Sequence, residues 1–170
     1  TSNYMSTRNG YSSPWVFTIS CWFKTTTTDG GKLISFGESQ TGTSTAHDRH
    51  IYMVPNGRLY FGVYPNVVRT INSTTSYNDG NWHHVVGILS ASGMFLYVDG
   101  VLSASNNTVT TAQTYTGYWR VGYDRMDNSW TDWPSNARTQ AYFNGAIDDV
   151  LIYNRALSAA EVTNLYQPAF

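Results

Sequence analysis

The sequence lacks several residue groups on which common kinds of site depend. Its only cysteine is Cys21, so no disulfide can form within the chain, and this residue is expected to be a small buried apolar side chain. Lysine and arginine total 10 of the 170 residues and form no cluster, and the net charge is −1. Binding to a phosphate backbone needs a basic surface, so this composition argues against nucleic acid as a partner.

Long apolar runs are also missing. A transmembrane helix needs roughly 18 or more consecutive apolar residues, and no stretch of the chain approaches that length. We therefore expect no membrane insertion. The chain starts at Thr1 without a signal peptide, which is compatible with an excised module of an exported protein.

Glutamate occurs only twice, as Glu38 and Glu161. Glycoside hydrolysis needs two carboxyl groups that flank the scissile bond, about 5 Å apart or wider. No predicted strand carries carboxylates at i and i+2 or i+4, and the adjacent Asp148 and Asp149 would point to opposite faces. There is no nucleophile elbow either. We therefore predict that the chain is not an enzyme.

The histidines do not form a metal site by their spacing. His47 and His50 could hold zinc on a helix, but this segment enters a predicted strand and no third ligand is near. His83 and His84 lie inside another predicted strand, where a structural role is expected. We expect no zinc site.

Strand-forming residues are abundant. Aromatic residues make up 15% of the chain, and serine and threonine together outnumber the charged residues, a composition that favours β-structure. Apolar and polar residues alternate in VFTISCWFK, residues 16–24, which places Trp22 on the face opposite an apolar stripe. The stripe consists of Phe17, Ile19, Cys21 and Phe23.

Further strands follow the same alternation and are separated by turn signals such as Asn56-Gly57. They are GRLYFGVY, WHHVVGIL, MFLYVDG, YWRVGYD and YFNGAIDDVLIY, with weaker signals in GKLISFG, RHIYMV and NVVRTIN. Many short strands predict an all-β sandwich or barrel, and the length fits one domain over residues 1–170. One short C-terminal helix is predicted in SAAEVTNLY, where Ser158 and Glu161 form a capping box, and we expect it to cover one end of the sandwich.

The last predicted strand contains an irregularity. Ile147 and Val150 are three residues apart, so strict alternation would place them on opposite faces. A β-bulge at Asp148–Asp149 would turn both apolar side chains inward and re-aim one carboxylate.

Two long segments resemble a known family. DGNWHHVVGILSASGMFLYVDGVL (79–102) and YFNGAIDDVLIYNRALSAAEVTNLY (142–166) resemble laminin-G-like domains of the concanavalin A-like lectin/glucanase superfamily, and SNYMSTRNGYSSPWVFTISCWFKT fits the same pattern. The resemblance implies a jelly-roll sandwich of two antiparallel sheets. Relatives are mostly glycan- or protein-binding modules, often with Ca²⁺ at the rim or bridging the chain ends. Others are hydrolases with a Glu-x-Asp-x-(x)-Glu strand, which this chain lacks.

The segment DRMDNSWTDWPSNAR, residues 124–138, lies in a connection that is long for a sandwich, and long loops are often functional. Trp130 and Trp133 could reach one side of a turn, where indole rings suit the CH face of a sugar. The alternative is that they pin the loop to the body, and we expect one buried and one presented indole. The charged residues of the loop could contact a ligand or form internal salt bridges. They are Asp124, Arg125, Asp127, Asp132 and Arg138.

Other candidate ligand contacts lie outside this loop. His47, Asp48 and Arg49 end a second long polar loop, 37–50, and are predicted to face the same rim. Tyr64, together with Tyr60 and Trp22, lies opposite the predicted core stripe, which suits either a concave binding surface or packing between the sheets, since both faces of a jelly roll are partly covered.

Calcium is the metal that the chain suits best, because it prefers hard oxygen ligands in loops. Asp148 or Asp149 could meet the side chain or carbonyl of Asn3 and so tie the chain ends together. The alternative is that these acids are solvent-exposed or accept backbone hydrogen bonds at the bulge.

The sequence therefore predicts a non-catalytic, lectin-like carbohydrate-binding module of a secreted or cell-surface protein, with Ca²⁺ as a candidate ion and a glycan or polysaccharide as partner. The alternative function is a protein-interaction or structural module that meets neighbouring domains of a larger extracellular protein or adhesin.

Overall fold

A computed structural model describes residues 3–135 and 141–167. The elements are β1 (Met5–Ser6), β2 (Tyr11–Ser12), β3 (Phe17–Lys24), β4 (Gly31–Gly37), β5 (His47–Met53), β6 (Arg58–Val63), β7 (Arg69–Ser76), β8 (Trp82–Ser90), β9 (Gly93–Val98), β10 (Val101–Asn106), β11 (Thr116–Val121), β12 (Ala146–Tyr153) and α1 (Ala159–Tyr166). None of the helical residues in these ranges forms a helix long and apolar enough to cross a membrane.

The strands form two antiparallel sheets. A seven-stranded sheet has the order β1-β11-β4-β5-β6-β7, with β2 also paired to β11, and a five-stranded sheet has the order β10-β9-β8-β3-β12. This arrangement confirms the predicted all-β jelly-roll sandwich with one short helix. Strand β10 was not predicted from the sequence, because its residues, VLSASN, do not alternate between apolar and polar.

The main core lies between the inner faces of the sheets. The predicted stripe of β3 is buried there, and its Phe17 ring meets Phe61 of β6 edge to face at 6.1 Å between ring centres. Opposite them, Gly87 of β8 must lack a side chain, because a Cβ atom there would come within 2.9 Å of the Phe61 ring. Close approach of the two sheets therefore depends on this glycine.

The predicted bulge in β12 is present. Asp148 pairs with Trp22 and Leu151 with Ser20, so the ladder skips two residues, and Asp149 has a φ of 46°. Ile147 and Val150 both pack against the main core as predicted.

The C-terminal helix α1 has the predicted capping box between Ser158 and Glu161. It packs through Val162 against Val86 and Ile88 on the outer face of the five-stranded sheet. The prediction that it covers an end of the sandwich is therefore wrong. Trp22 lies on the same outer face, and its ring stacks on that of Tyr166 at 5.7 Å between ring centres. The helix therefore removes apolar surface of this face from water.

Candidate functional site

The long connection after β11 lies across the outer face of the seven-stranded sheet. Its residues form a second buried cluster with side chains of β5 and β6. The cluster contains Tyr52, Val54, Tyr60, Met126, Trp130, Trp133 and Ala141, with Tyr64 and Val68 packed at its edge. The connection is thus a self-packed cover, one of the two roles predicted for it.

Both tryptophans of the connection are buried. Trp130 is 3% exposed and Trp133 is 6% exposed, so the prediction that one indole is presented to solvent is wrong. The physical reason is the aromatic surface beneath them, where Tyr52 and Tyr60 stack at 5.1 Å and His50 meets Trp130 edge to face at 4.0 Å. Two exposed tyrosines on a sheet would leave a large apolar area in water, and the indoles remove it.

Hydrogen bonds from the sheet hold the connection down. The Tyr52 hydroxyl donates to the carbonyl of Thr131 at 2.8 Å, and the Tyr60 hydroxyl donates to the carboxylate of Asp132. The hydroxyl of Thr70 on β7 donates to that of Thr131 at 2.8 Å. Tyr60 is therefore buried under the connection, so an open binding face at Tyr60, Tyr64 and Trp22 is not formed.

Asp124 anchors the start of the connection. It is fully buried, and its carboxylate accepts the backbone N–H and the hydroxyl of Ser44, both at 3.0 Å, and the N–H of Arg125 at 2.7 Å. Arg120 of β11, also fully buried, completes the group at 3.3 Å and donates to the carbonyls of Ser39 and Gly42. The pair joins loop 37–50 to the connection through these internal hydrogen bonds.

His47 of loop 37–50 lies close to Asp127 of the connection, but His47 is buried rather than presented at a rim. Nε2 of His47 is 3.7 Å from the carboxylate of Asp127, and Nζ of Lys32 donates to Nδ1 of His47 at 3.3 Å. Nε of Arg125 lies 3.5 Å from the same Asp127 oxygen, Oδ2, that His47 approaches. The His47 imidazole holds the pKa of Asp127 below its usual range, and burial lowers the pKa of Lys32 to about 8. Arg138 lies outside the described residues.

Asp48 and Arg49 do not face this rim. A bulge with a φ of 48° at Arg49 turns both side chains towards the main core, and both are fully buried. Asp48 accepts the N–H groups of Tyr64 and Gln113, each at 3.0 Å, and pairs with Arg49. Arg49 lies 5.0 Å from the centre of the Phe36 ring. The prediction that both face the rim is therefore wrong, because the bulge turns them inward. The internal partners compensate the loss of hydration that burying this ion pair causes.

Three buried histidines make the fold sensitive to acid: His47 and His50 lie below the connection, and His84 lies in β8 of the other sheet. Burial lowers the pKa of His47, lowers that of His50 further, and lowers that of His84 to about 4. Neither ring nitrogen of His50 has a hydrogen-bond partner within residues 3–135 and 141–167. Protonation of His50 in the folded state therefore puts an unpaired charge beneath Trp130.

We expect the melting temperature to fall as the pH drops from about 6.5, the histidine pKa in the unfolded chain, towards about 4. The sign follows because, below the unfolded pKa, the unfolded chain binds more protons than the folded one. Thermal melts across this range measure the slope, and His50→Leu should flatten it. An equally steep slope in that variant would show that His50 does not contribute.

Of the residues predicted for calcium, Asn3 lies near Ile147, the chain neighbour of Asp148. A Cβ atom placed on Gly122 would be 3.6 Å from the Asn3 carbonyl oxygen and 4.0 Å from Cδ1 of Ile147. Asp148 and Asp149 are exposed, and Asp148 accepts the N–H of Asp149 at 2.9 Å, the bulge contact given as the alternative. No group of three or more acids, histidines or cysteines with metal-binding geometry occurs in the described ranges. Calcium at this bulge stays a prediction.

The sequence of residues 1–163 matches the family profile of the concanavalin A-like lectin/glucanases superfamily, laminin G type. The chain belongs to this superfamily. No curated protein matches the sequence significantly.

Solved structures with the fold of this lectin/glucanase superfamily include three instructive ones. A heptameric SAP-like pentraxin from Limulus polyphemus is 17% identical, with a TM-score of 0.69 over 96% of this chain and 75% of that one. The CBM40 module of a Ruminococcus gnavus IT-sialidase is 18% identical, with a TM-score of 0.66 over 94% and 92%. Domain 4 of an extracellular arabinanase from Geobacillus stearothermophilus, solved with arabinotriose, is 21% identical, with a TM-score of 0.60 over 92% and 68%. At these identities the likeness shows the fold.

This lectin/glucanase-type domain has an open cleft that the sequence analysis missed. It has a volume of about 510 Å³ and lies where β3, the β7–β8 turn and the start of β12 meet. Its lining consists of Lys24, Thr25, Thr26, Thr27, Thr28, Asp29, Gly80, Asn144 and Gly145. The run of four threonines directly after a strand was the available signal, and Trp82 beside it is 44% exposed.

Proposed function

We propose that this domain is a non-catalytic, lectin-like carbohydrate-binding module. The observation that carries the proposal is its superfamily membership over residues 1–163. Two similar structures support a glycan or polysaccharide as partner, since one is named as a carbohydrate-binding module and the other was solved with arabinotriose. A secreted or cell-surface location is part of the proposal, and the extracellular arabinanase supports it.

Four of the eleven carboxyl side chains of the sequence are engaged in internal contacts, which favours binding over hydrolysis. Glu38 accepts the N–H of Thr45 at 2.9 Å, and Glu161 is engaged in the helix cap. Asp48 and Asp124 are buried against arginines. A glycoside hydrolase needs two carboxyl groups across an accessible cleft, and these four are committed to internal contacts.

The second candidate function is a protein-interaction or structural module. The edge strand β10 favours it, because Val101 is 69% exposed and Leu102 is 48% exposed, and a neighbouring domain could cover both.

A glycan array probed with the pure domain tests the proposal, once with Ca²⁺ and once with EDTA. We expect binding to at least one glycan, and we propose that calcium at Asp148 and Asp149 supports it. EDTA should then lower the melting temperature, because an ion that binds the folded state stabilises it. An unchanged melting temperature contradicts the calcium site. An array without binding in either condition contradicts carbohydrate binding, and release of sugar from a polysaccharide contradicts the non-catalytic role.

A further inference from the structure

The threonine-lined cleft is built by alternation along its loop. Thr25 and Thr27 are buried and fix the backbone: the Thr25 hydroxyl donates to the carbonyl of Asn144 and accepts the N–H of Thr27 at 2.9 Å. Thr26 and Thr28, between and after them, are exposed and line the cleft. The loop thus holds its shape with one set of hydroxyl groups and presents the other set to solvent.

Neighbouring segments lock this loop in place. The N–H of Gly80 donates to the carbonyl of Thr25 and the amide of Asn78 donates to that of Thr27, both at 2.9 Å. Gly145 comes so close to β3 that a Cβ atom on it would lie 2.5 Å from the carbonyl of Lys24. Because hydrogen bonds and close packing hold these three segments together, the cleft should lose little conformational entropy when a ligand binds.

Trp82 lies outside the lining of the cleft but next to it, because Gly80, two residues earlier, and Lys24, its partner on β3, both line the cleft. The register of β3 and β8 pairs it directly with Lys24, so both side chains project from the same face of the sheet. The indole is 44% exposed, whereas the indoles of the long connection are buried. An exposed tryptophan next to fixed hydroxyl groups suits a ring with one apolar face and polar edges.

We propose that this cleft binds a neutral oligosaccharide, with one sugar ring stacked on Trp82 and its hydroxyl groups bonded to Thr26 and Thr28. The inference rests on the proposed carbohydrate-binding function. The charged lining residues, Lys24 and Asp29, balance each other, which favours a neutral sugar over an acidic one. The volume of about 510 Å³ falls within the roughly 300–1,000 Å³ of small-molecule sites.

A second cleft fits a sugar less well. It has a volume of about 390 Å³, and its lining contains Arg69 without an acidic residue to balance the charge.

The experiment titrates the pure domain with maltotriose, cellotriose and xylotriose, with 3′-sialyllactose as the acidic comparison. Affinity is measured by calorimetry, and the indole N–H signals are followed by NMR. Trp82→Ala should weaken binding at least about 10-fold and Trp82→Phe much less, because an aromatic ring remains. Replacing Thr28 by valine should cost about five-fold, the worth of one hydrogen bond.

Trp15→Ala is the matched control. Trp15 is 45% exposed, like Trp82, but lies beyond the opposite end of β3, so its removal should leave affinity unchanged. If Trp82→Ala binds a glycan as well as the parent, the cleft assignment fails while carbohydrate binding stands. Binding of 3′-sialyllactose alone contradicts the neutral class. If neither these sugars nor the array glycans bind, the proposed function and the cleft assignment both fail.

Discussion

Replacing Trp130 by alanine should lower the free energy of unfolding by about 3 to 5 kcal/mol, the cost typical of removing a large aromatic side chain from a core. Trp130 is 3% exposed and contacts His50 at 4.0 Å between ring centres. A Cβ atom on Gly62 would come within 2.9 Å of its ring, so the indole fills a space shaped for it. Thermal or urea unfolding measures the loss, at roughly 2–4 °C per kcal/mol for a domain of this size.

Trp15→Ala serves as the control for this variant as well. It removes the same side chain from an exposed position, so its effect should be about 0.5 kcal/mol or less. Loss of glycan binding by Trp130→Ala at an unchanged melting temperature would contradict the covering role of the connection and would show that its indole reaches a ligand.

The second large effect is expected at Asp124. Asp124→Ala leaves the Arg120 guanidinium buried without its carboxylate partner, and breaking such a pair typically costs about 3 to 5 kcal/mol. The two N–H groups that donate to Asp124 also lose their acceptor, so we expect the upper part of this range.

A double-variant cycle separates the ion pair from the other contacts of Asp124. Arg120→Met combined with Asp124→Ala should be less destabilised than the sum of the single variants, by about 1 to 3 kcal/mol. Simple additivity would contradict the coupling between these two side chains. The exposed pair of Arg155 and Glu161 gives the contrast, and Arg155→Ala should leave the melting temperature nearly unchanged.

The elements that could be predicted from the sequence are those with a local signal. Alternation located β3 and its core stripe, the spacing of Ile147 and Val150 located the bulge, and Ser158 with Glu161 located the start of α1. Each depends on residues within one turn or one strand, so no knowledge of distant neighbours was needed.

The candidate site was harder to predict because burial of its residues depends on distant segments. The sequence gives Trp130 and Trp133 the same composition signal whether they face solvent or cover Tyr52 and Tyr60, which lie some 70 residues earlier in the chain. Likewise, Asp48 turns inward because of the bulge at Arg49, and no local sequence pattern predicts that bulge. The composition of the loop was therefore a sign of tertiary packing rather than of exposure.

The division of labour among the threonines after β3 suggests a use of the domain as an engineering scaffold. Thr25 and Thr27 hold the backbone, so positions 26 and 28 can be randomised together with position 82 without disturbing either core cluster. Libraries varied only at these three positions should retain the parental melting behaviour in most members, while their sugar preferences diverge. Because the residues that hold the backbone differ from those that would contact the sugar, a single substitution at position 26, 28 or 82 could change the sugar specificity without changing the fold.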